Sequence, residues 1–404
     1  MTTELVLRGG RPWGRDDAAD VLVRDGVIER IEPHVDAPPA EVLDVTGLLL
    51  LPGLVDAHCH LDKTLFGGGW VPHTAGDALV DRITNERQRR AELGVPDVDR
   101  IAALLERMVA AGTTHVRSHT DVDPAFGLAG VEAVNAAAER LAGRVTVQQV
   151  AFPQYGILTS PGTAELLGEA LRSGVEVIGG IDPAGFDRDP VRHLDVVFGL
   201  AERYGAGVDI HLHDGGTLGV WQLELIAERA VRAGLQGRVA VSHAYGLGQA
   251  DAGTQARLAD LLAAAGVAIV TAAVYDFPVA PLKVLRSAGV TVACGHDGIR
   301  DLWGPYGSGD MLERAMHLAY RNTFRRDADI ELALEAATHG GAAVLGLPAY
   351  GLRPGAAADL VVVAAATAAE AVVTRPPRRL VLKAGRVVAA DANPVAPDAA
   401  PRAG

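Results

Sequence analysis

Histidines occur in pairs at points where apolar runs end. His58 and His60 flank Cys59 and follow residues 54–57, an apolar run typical of a buried strand. Side chains two residues apart in an extended segment point to the same side, so the two imidazoles could bind one divalent metal ion. The chain has 13 histidines in 404 residues, enough for such a pair to arise by chance, so its context has to decide.

Three other apolar runs end in metal-binding side chains. His211 and His213 close the run that begins at residue 208, His243 follows residues 239–242, and Asp297 comes three residues after Cys294. Imidazole and carboxylate are ligands that zinc and iron both accept. The predicted ligands of one metal ion are His58, His60, His211 and Asp297.

The remaining polar residues beside these runs have two interpretations each. His243 is predicted to act as an acid or base beside the metal, the alternative being a buried histidine with a structural hydrogen bond. His213 or Asp214 could pass a proton to a leaving nitrogen. Asp214 could instead cap the turn that follows it.

The pattern of apolar and helix-forming residues in residues 54–346 indicates eight strand–helix units. Helical Ala/Leu/Glu/Arg stretches, such as 99–111, 130–142, 164–173, 191–204 and 218–233, lie between β-branched runs. This alternation predicts an α/β fold, a (β/α)8 TIM barrel. The carboxyl ends of its strands meet at one mouth, which would bring the residues after strands one, five, six and eight together. The eight predicted strands are 54–57, 114–118, 145–152, 175–178, 208–212, 239–242, 267–271 and 290–294.

Both ends of the chain read as short strands. Residues 5–8 precede a glycine turn, and Asp25-Gly26 marks a hairpin. We predict that residues 1–53 and 347–392 form one small β-sandwich domain beside the barrel of residues 54–346. The Pro/Ala-rich tail, residues 393–404, is expected to be disordered.

Composition limits the partners. Subtracting 50 acidic from 37 basic residues leaves a net charge of −13, which argues against nucleic acid and anionic membranes. No apolar run has the length of about 18 residues that a membrane span needs. Two cysteines and the lack of a secretion signal predict a cytoplasmic protein. Exposed barrel helices would leave room for a homo-oligomer.

Several of these segments resemble a known family. Residues 52–62 (PGLVDAHCHLD) resemble the opening of the amidohydrolase superfamily. Residues 152–154 (FPQ), 209–211 (DIH), 242–243 (SH) and 295–297 (GHD) are similar to its cytosine deaminase-like branch. Asp62-Lys63, and Arg300-Asp301 with Trp303, are similar to a triazine-degrading member. The resemblance covers nearly the whole chain.

The resemblance implies one zinc or iron ion on the same four ligands. It also implies that Gln154, with Phe152 beside it, reads a carbonyl and an N–H of a substrate ring. Trp303 would form a stacking wall, although Gln154 and Trp303 could instead be packing residues of their loops. Lys63 would suit a carbonyl-rich or anionic substrate face, or it could pair structurally with Asp62 or Asp121.

Two positions depart from the cytosine deaminase pattern. That family has a glutamate as proton shuttle where this chain has Asp214, and a second aspartate where this chain has Gly298. The second departure argues against cytosine itself as the substrate. The predicted fourth strand contains no lysine that could bridge two metal ions once carboxylated, which favours a single ion, Zn²⁺ first and Fe²⁺ as the alternative.

These features together predict a hydrolase that removes an exocyclic amino or alkylamino group from a nitrogen heterocycle. The metal activates a water, Asp297 and His243 take its proton, Gln154 and Lys63 fix the ring, and His213 or Asp214 protonates the leaving nitrogen. The alternatives are a hydrolase that opens a cyclic amide and a non-catalytic relative used for assembly. Aromatic side chains expected to close over the ring are Phe66, Trp70, Tyr155, Tyr275, Phe277 and those in residues 303–306.

Overall fold

The computed structural model describes residues 4–36, 41–76 and 79–395. Eight parallel strands pair in chain order and form one barrel sheet. They are numbered after five strands at the start of the chain. The barrel strands are β6 (Leu54–Cys59), β7 (Thr113–Asp121), β8 (Thr146–Phe152), β9 (Val177–Ile181), β10 (Gly207–His211), β11 (Val239–Ser242), β12 (Val267–Thr271) and β13 (Val292–Cys294).

The barrel closes between its first and last strands at their carboxyl ends. Cys59 bridges Asp297 in parallel fashion. The amide of Asp297 donates to the carbonyl of His58 at 2.9 Å, and the amide of His60 donates to the carbonyl of Asp297 at 3.3 Å. The closing seam therefore carries three of the four predicted metal ligands, and the predicted barrel is confirmed.

The helices cover the outside of the barrel. In α2 the apolar residues Ile101, Leu104, Leu105 and Met108 recur at helical spacing and are fully buried, the stripe expected of a helix on a sheet. The helices are α1 (Leu79–Glu92), α2 (Val98–Ala110), α3 (Ala129–Arg140), α4 (Thr163–Arg172), α5 (Pro190–Tyr204), α6 (Gly216–Arg232), α7 (Tyr245–Gln249), α8 (Ala252–Ala264), α9 (Leu282–Ser287), α10 (Met311–Arg321), α11 (Asp327–Ala336), α12 (His339–Val344) and α13 (Ala368–Thr374).

Helix α1 has a different character and was not among the predicted helices. Its sequence is dominated by charged and polar residues. Two of these, Glu86 and Arg90, are nevertheless buried. Ion pairs rather than an apolar stripe therefore hold this helix, which explains why hydrophobic periodicity missed it.

Both chain ends contribute to a second sheet, which is largely antiparallel. Strands from both halves share one apolar core that includes Leu7, Val21, Leu50, Leu360 and Leu382, as the predicted small β domain requires. The strands are β1 (Glu4–Pro12), β2 (Ala19–Arg24), β3 (Val27–Glu32), β4 (Glu41–Asp44), β5 (Leu49–Pro52), β14 (Leu360–Val363), β15 (Arg378–Lys383), β16 (Arg386–Ala390) and β17 (Asn393–Pro394).

Two details of this sheet differ from expectation. The first strand does not turn after residue 8 but continues to Pro12, because a register shift between Leu7 and Gly10 absorbs Gly9 at a φ of 70°. Asn393–Pro394, the start of the tail expected to be disordered, pairs with β16 through backbone hydrogen bonds. Residues 396–404 of that tail lie outside the described residues. No helix in the described ranges is long and apolar enough to cross a membrane.

Candidate active site

Four ligand atoms meet at the carboxyl end of the barrel. His58, His60, His211 and Asp297 each offer one atom, all within 4.8 Å of one another. Oδ1 of Asp297 lies 3.3 Å from Nε2 of His60 and 3.6 Å from Nε2 of His58, and the Nε2 atoms of His60 and His211 are 3.3 Å apart. Atoms at zinc–nitrogen distance from one tetrahedral ion are about 3.3 Å apart. The group therefore fits a single tetrahedral metal ion.

Hydrogen bonds on the far side of two rings leave Nε2 available to a metal. Nδ1 of His60 lies 2.8 Å from the carbonyl of His119, which can only accept, so this nitrogen carries the proton. Ser242 Oγ donates to Oδ1 of Asp209 at 2.8 Å and therefore accepts from Nδ1 of His58, also at 2.8 Å. In both rings Nε2 is the unprotonated nitrogen, the form that binds a metal.

A buried polar network holds the His58 ring in place. Asp209 also accepts from Arg117 at 2.9 Å, and the ring of His119 stacks on that of His58 at 3.9 Å between centroids. His58, His119 and Asp209 are close enough to resemble a second metal group. The Arg117 guanidinium and Ser242 already occupy the Asp209 carboxylate, so this group lacks the free anionic ligand that a second cation needs.

Lys63 is held by one hydrogen bond and two ion pairs. Its Nζ lies 2.5 Å from Oε1 of Gln154, 3.1 Å from Oδ1 of Asp121 and 3.6 Å from Oε1 of Glu86. Burial opposes its charge, but Asp121 and Glu86 outweigh this and raise the pKa of Lys63. Lys63 lines the cavity and also forms a buried ion pair with Asp121, and its contact with substrate stays a prediction.

Gln154 is oriented by this lysine. An ammonium group can only donate, so the atom facing it is Oε1, and Nε2 of Gln154 remains free to donate. No described residue accepts from Nε2. Phe152 stacks on His211 at 4.0 Å between centroids, and Nζ of Lys63 lies 5.8 Å from the ring centroids of Phe152 and Trp303. The structure thus brings Lys63, Phe152, Gln154 and Trp303 together on one cavity wall.

His213 has a carboxylate partner that the sequence analysis missed. Its Nδ1 lies 2.8 Å from Oδ2 of Asp182, and its ring stacks on that of His243 at 4.4 Å. Burial opposes protonation, yet Asp182 outweighs it and raises the pKa of His213. Asp182, His213 and His243 therefore form a row of side chains that leads from the metal group into the cavity. Asp182 follows β9 directly, the position after a barrel strand that could have identified it.

Asp214 lies away from the cavity. Its Oδ2 accepts from the amide of Gly185 at 2.9 Å and from Nε2 of Gln222 at 2.8 Å, so it organises the loop after β10. His243 is buried beside the metal group, and its Nε2 has no hydrogen-bond partner among the described residues. Both His243 and Asp297 have a positive φ, 70° and 65°, a conformation that costs a non-glycine residue energy and that recurs at functional sites.

A cavity of about 660 Å³ opens above these groups. It also contains Asp301 and Phe186, which were not predicted as site residues. Of the aromatic residues expected to close over it, Phe66, Trp70 and Tyr155 do not line it, and the residue Trp70 is 75% exposed. The aromatic residues that do line it are Phe152, Phe186, Tyr245, Tyr275, Phe277, Trp303, Tyr306 and Tyr320.

Comparison with known proteins agrees with this architecture. The profile of a family described as "Amidohydrolase family" matches residues 41–389. The chain belongs to the amidohydrolase family. The match includes the whole barrel of this amidohydrolase and, in its second sheet, strands β4, β5, β14 and β15 and most of β16.

Individual relatives of this amidohydrolase are similar along nearly their full length. It is 31% identical to N-isopropylammelide isopropyl amidohydrolase of Pseudomonas sp. (strain ADP), covering 96% of this chain and 98% of the relative. The crystal structure of N-isopropylammelide isopropylaminohydrolase from Burkholderia multivorans has 47% identity and a TM-score of 0.94, covering 97% of this chain and 100% of that one. A 5-methylcytosine deaminase from Klebsiella pneumoniae, bound to 5-fluorocytosine, has 28% identity and a TM-score of 0.83, covering 96% and 97%.

Proposed function

We propose that this amidohydrolase hydrolyses the bond between a nitrogen-heterocycle carbon and its exocyclic amino or alkylamino group. The observation that carries the proposal is the His58, His60, His211 and Asp297 group at the floor of an aromatic-lined cavity of about 660 Å³. Relatives named as acting on isopropylammelide and methylcytosine support the substrate class.

A single divalent metal ion would be held by those four residues, Zn²⁺ first and Fe²⁺ as the alternative. Such an ion lowers the pKa of water that it binds, which makes a nucleophile available near neutral pH. The fixed Nδ1 protons of His58 and His60 direct their Nε2 lone pairs to one point. Carbon–oxygen bond formation and carbon–nitrogen cleavage then give the oxo ring and ammonia or an amine.

Proton movement falls to the residues beside the metal group. His243 and Asp297 are the acceptors nearest to the attacking side and would take the proton from water. His213, whose pKa is raised by Asp182, would deliver a proton to the leaving nitrogen. Asp214, the second candidate for this step, lies away from the cavity and supports the loop instead.

The ring would be fixed by the opposite wall. Gln154 Nε2 donates to a ring oxygen or unprotonated ring nitrogen. Lys63, whose Nζ lies 2.5 Å from Oε1 of Gln154, stabilises negative charge that develops on that ring atom. Trp303 and Phe152 cover the ring faces. We further propose that the protein works in the cytoplasm on a small-molecule substrate, without nucleic acid or membrane, and that it is able to form a homo-oligomer.

Mass spectrometry of products tests the function. Metal-loaded protein would be incubated with aminotriazines, N-alkylaminotriazines, aminopyrimidines and cyclic amides, with His58→Ala as the inactive variant and exposed His34→Ala as its control. Replacement of an amino group by oxygen adds about one mass unit, and an alkylamino substrate releases its amine. A gain of about eighteen units, one water, would mean ring opening and would refute the proposal.

A further inference from the structure

Gly298 leaves a space that another side chain fills. A Cβ atom on Gly298 would lie 2.1 Å from Oδ2 and 2.9 Å from Cγ of Asp301. Both residues line the cavity. A carboxylate directly after Asp297 and the carboxylate of Asp301 therefore exclude each other in this conformation.

The two oxygens of Asp301 have different surroundings. Oδ1 accepts from the amides of Trp303 at 2.8 Å and Gly304 at 3.0 Å, which fixes the side chain. Oδ2 accepts no hydrogen bond from any described residue, and no described cationic side chain pairs with the carboxylate. The residue is 2% exposed, and burial raises the pKa of Asp301 to about 7. Because Asp301 lines the cavity, a ligand bound there could donate a hydrogen bond to this second oxygen.

We propose that Oδ2 of Asp301 is a specificity-determining group that accepts a hydrogen bond from an N–H of the substrate ring or of its exocyclic amine. The inference rests on the proposed function, since it requires the ring to occupy this cavity. Gln154 offers a donor and Asp301 an acceptor. The preferred substrate therefore carries both an oxo group or bare ring nitrogen and an N–H.

Asp301→Asn separates the two roles of this side chain. Asparagine keeps an oxygen for the amides of Trp303 and Gly304 but replaces Oδ2 with an NH₂ group that can only donate. We expect kcat/KM for N–H-bearing rings to fall about 10- to 100-fold, with metal content and melting temperature unchanged. Asp251→Asn is the control, because Oδ1 of Asp251 likewise accepts from two backbone amides, those of Gly253 and Thr254, at the exposed start of α8. Its Oδ2 accepts only from the hydroxyl of Thr254.

Relocating the carboxylate gives a second, independent readout. Gly298→Asp alone should impair activity, because its side chain collides with Asp301. The double variant Gly298→Asp/Asp301→Ala should have a kcat/KM at least about tenfold higher than that of Asp301→Ala. No recovery, together with Asp301→Asn activity within about twofold of the wild type, would overturn the proposal.

Calorimetric binding of cyanuric acid and uracil, rings with N–H groups and no leaving amine, separates this proposal from the proposed function. Binding by the wild type without turnover of any amino ring would refute the hydrolytic function alone. Weaker binding by Asp301→Asn would then still support the role of Asp301, and equal binding would overturn it. If the wild type neither binds nor hydrolyses any ring, both proposals fail.

Discussion

Ser242 is expected to control metal affinity without touching the metal. Its hydroxyl links Oδ1 of Asp209 to Nδ1 of His58, at 2.8 Å on each side. Ser242→Ala removes this link, so Nδ1 loses its acceptor and the His58 ring loses the contact that fixes its tautomer. Asp209 loses the hydroxyl donor to Oδ1 but keeps the hydrogen bond that Arg117 donates to Oδ2 at 2.9 Å.

The size of the effect follows from these contacts. Loss of a partner that orients a metal-binding histidine costs about 10- to 100-fold in metal affinity, which corresponds to about 1.4–2.7 kcal/mol. The two polar atoms left unpaired cost the fold itself about 1–3 kcal/mol each. Metal affinity and stability of the metal-free protein therefore have to be measured separately.

Competition with a chromogenic chelator gives the zinc affinity, and urea unfolding of metal-free protein gives the stability. Ser173→Ala is a suitable control, because its hydroxyl donates only to the carbonyl of Ala170 on a helix end. We expect Ser242→Ala to bind zinc at least about tenfold more weakly than this control. Equal zinc affinity in the two variants would show that the hydroxyl does not orient His58.

Three further changes have expected outcomes. Gln154→Glu keeps an acceptor for Lys63 but removes the Nε2 donor, so kcat/KM for oxo-bearing rings should fall about 10- to 100-fold in steady-state assays, at unchanged metal content. An unchanged kcat/KM would show that Gln154 does not bind the ring. Arg90→Met leaves Asp121, 2.6 Å away, with one fewer cation and should lower the free energy of unfolding by about 3–5 kcal/mol. Arg89→Met should not, because half-buried Arg89 donates only to the carbonyl of Pro72. Burial, with the nearby charge of Lys383, lowers the pKa of His115 to about 4, so the folded protein should lose stability as pH falls from about 6.5 towards that value. His115→Gln should weaken this dependence of the unfolding free energy on pH, measured by urea unfolding. An equal slope in both proteins would contradict the prediction.

The barrel and the metal group were predictable because each depends on a local signal. Strands β11 and β12 have the predicted bounds, since continuous apolar runs of β-branched residues are buried on both faces. The carboxyl ends of parallel strands converge whatever the helices do. Residues 58, 60, 211 and 297 therefore had to meet once the strands were assigned.

Contacts that depend on loops and on long-range charge pairing were not predictable. Helix α1 has no apolar stripe, and the burial of its Glu86 and Arg90 follows only from their partners Lys63 and Asp121. Asp301 reaches the space beside Gly298 because the turn to Gly304 directs it there. Asp182, for which no role was predicted, pairs with His213, and Asp214 supports a loop, because side-chain direction after a strand depends on the loop conformation.

The central claim is hydrolysis of an exocyclic carbon–nitrogen bond by a one-metal site. The most direct measurement follows ammonia or amine release from amino- and alkylaminotriazines while metal per chain is titrated from zero. Release should rise linearly and saturate at one metal ion per chain, with no release by His58→Ala. Saturation at two ions, or a ring-opened product in place of the released amine, would contradict this claim.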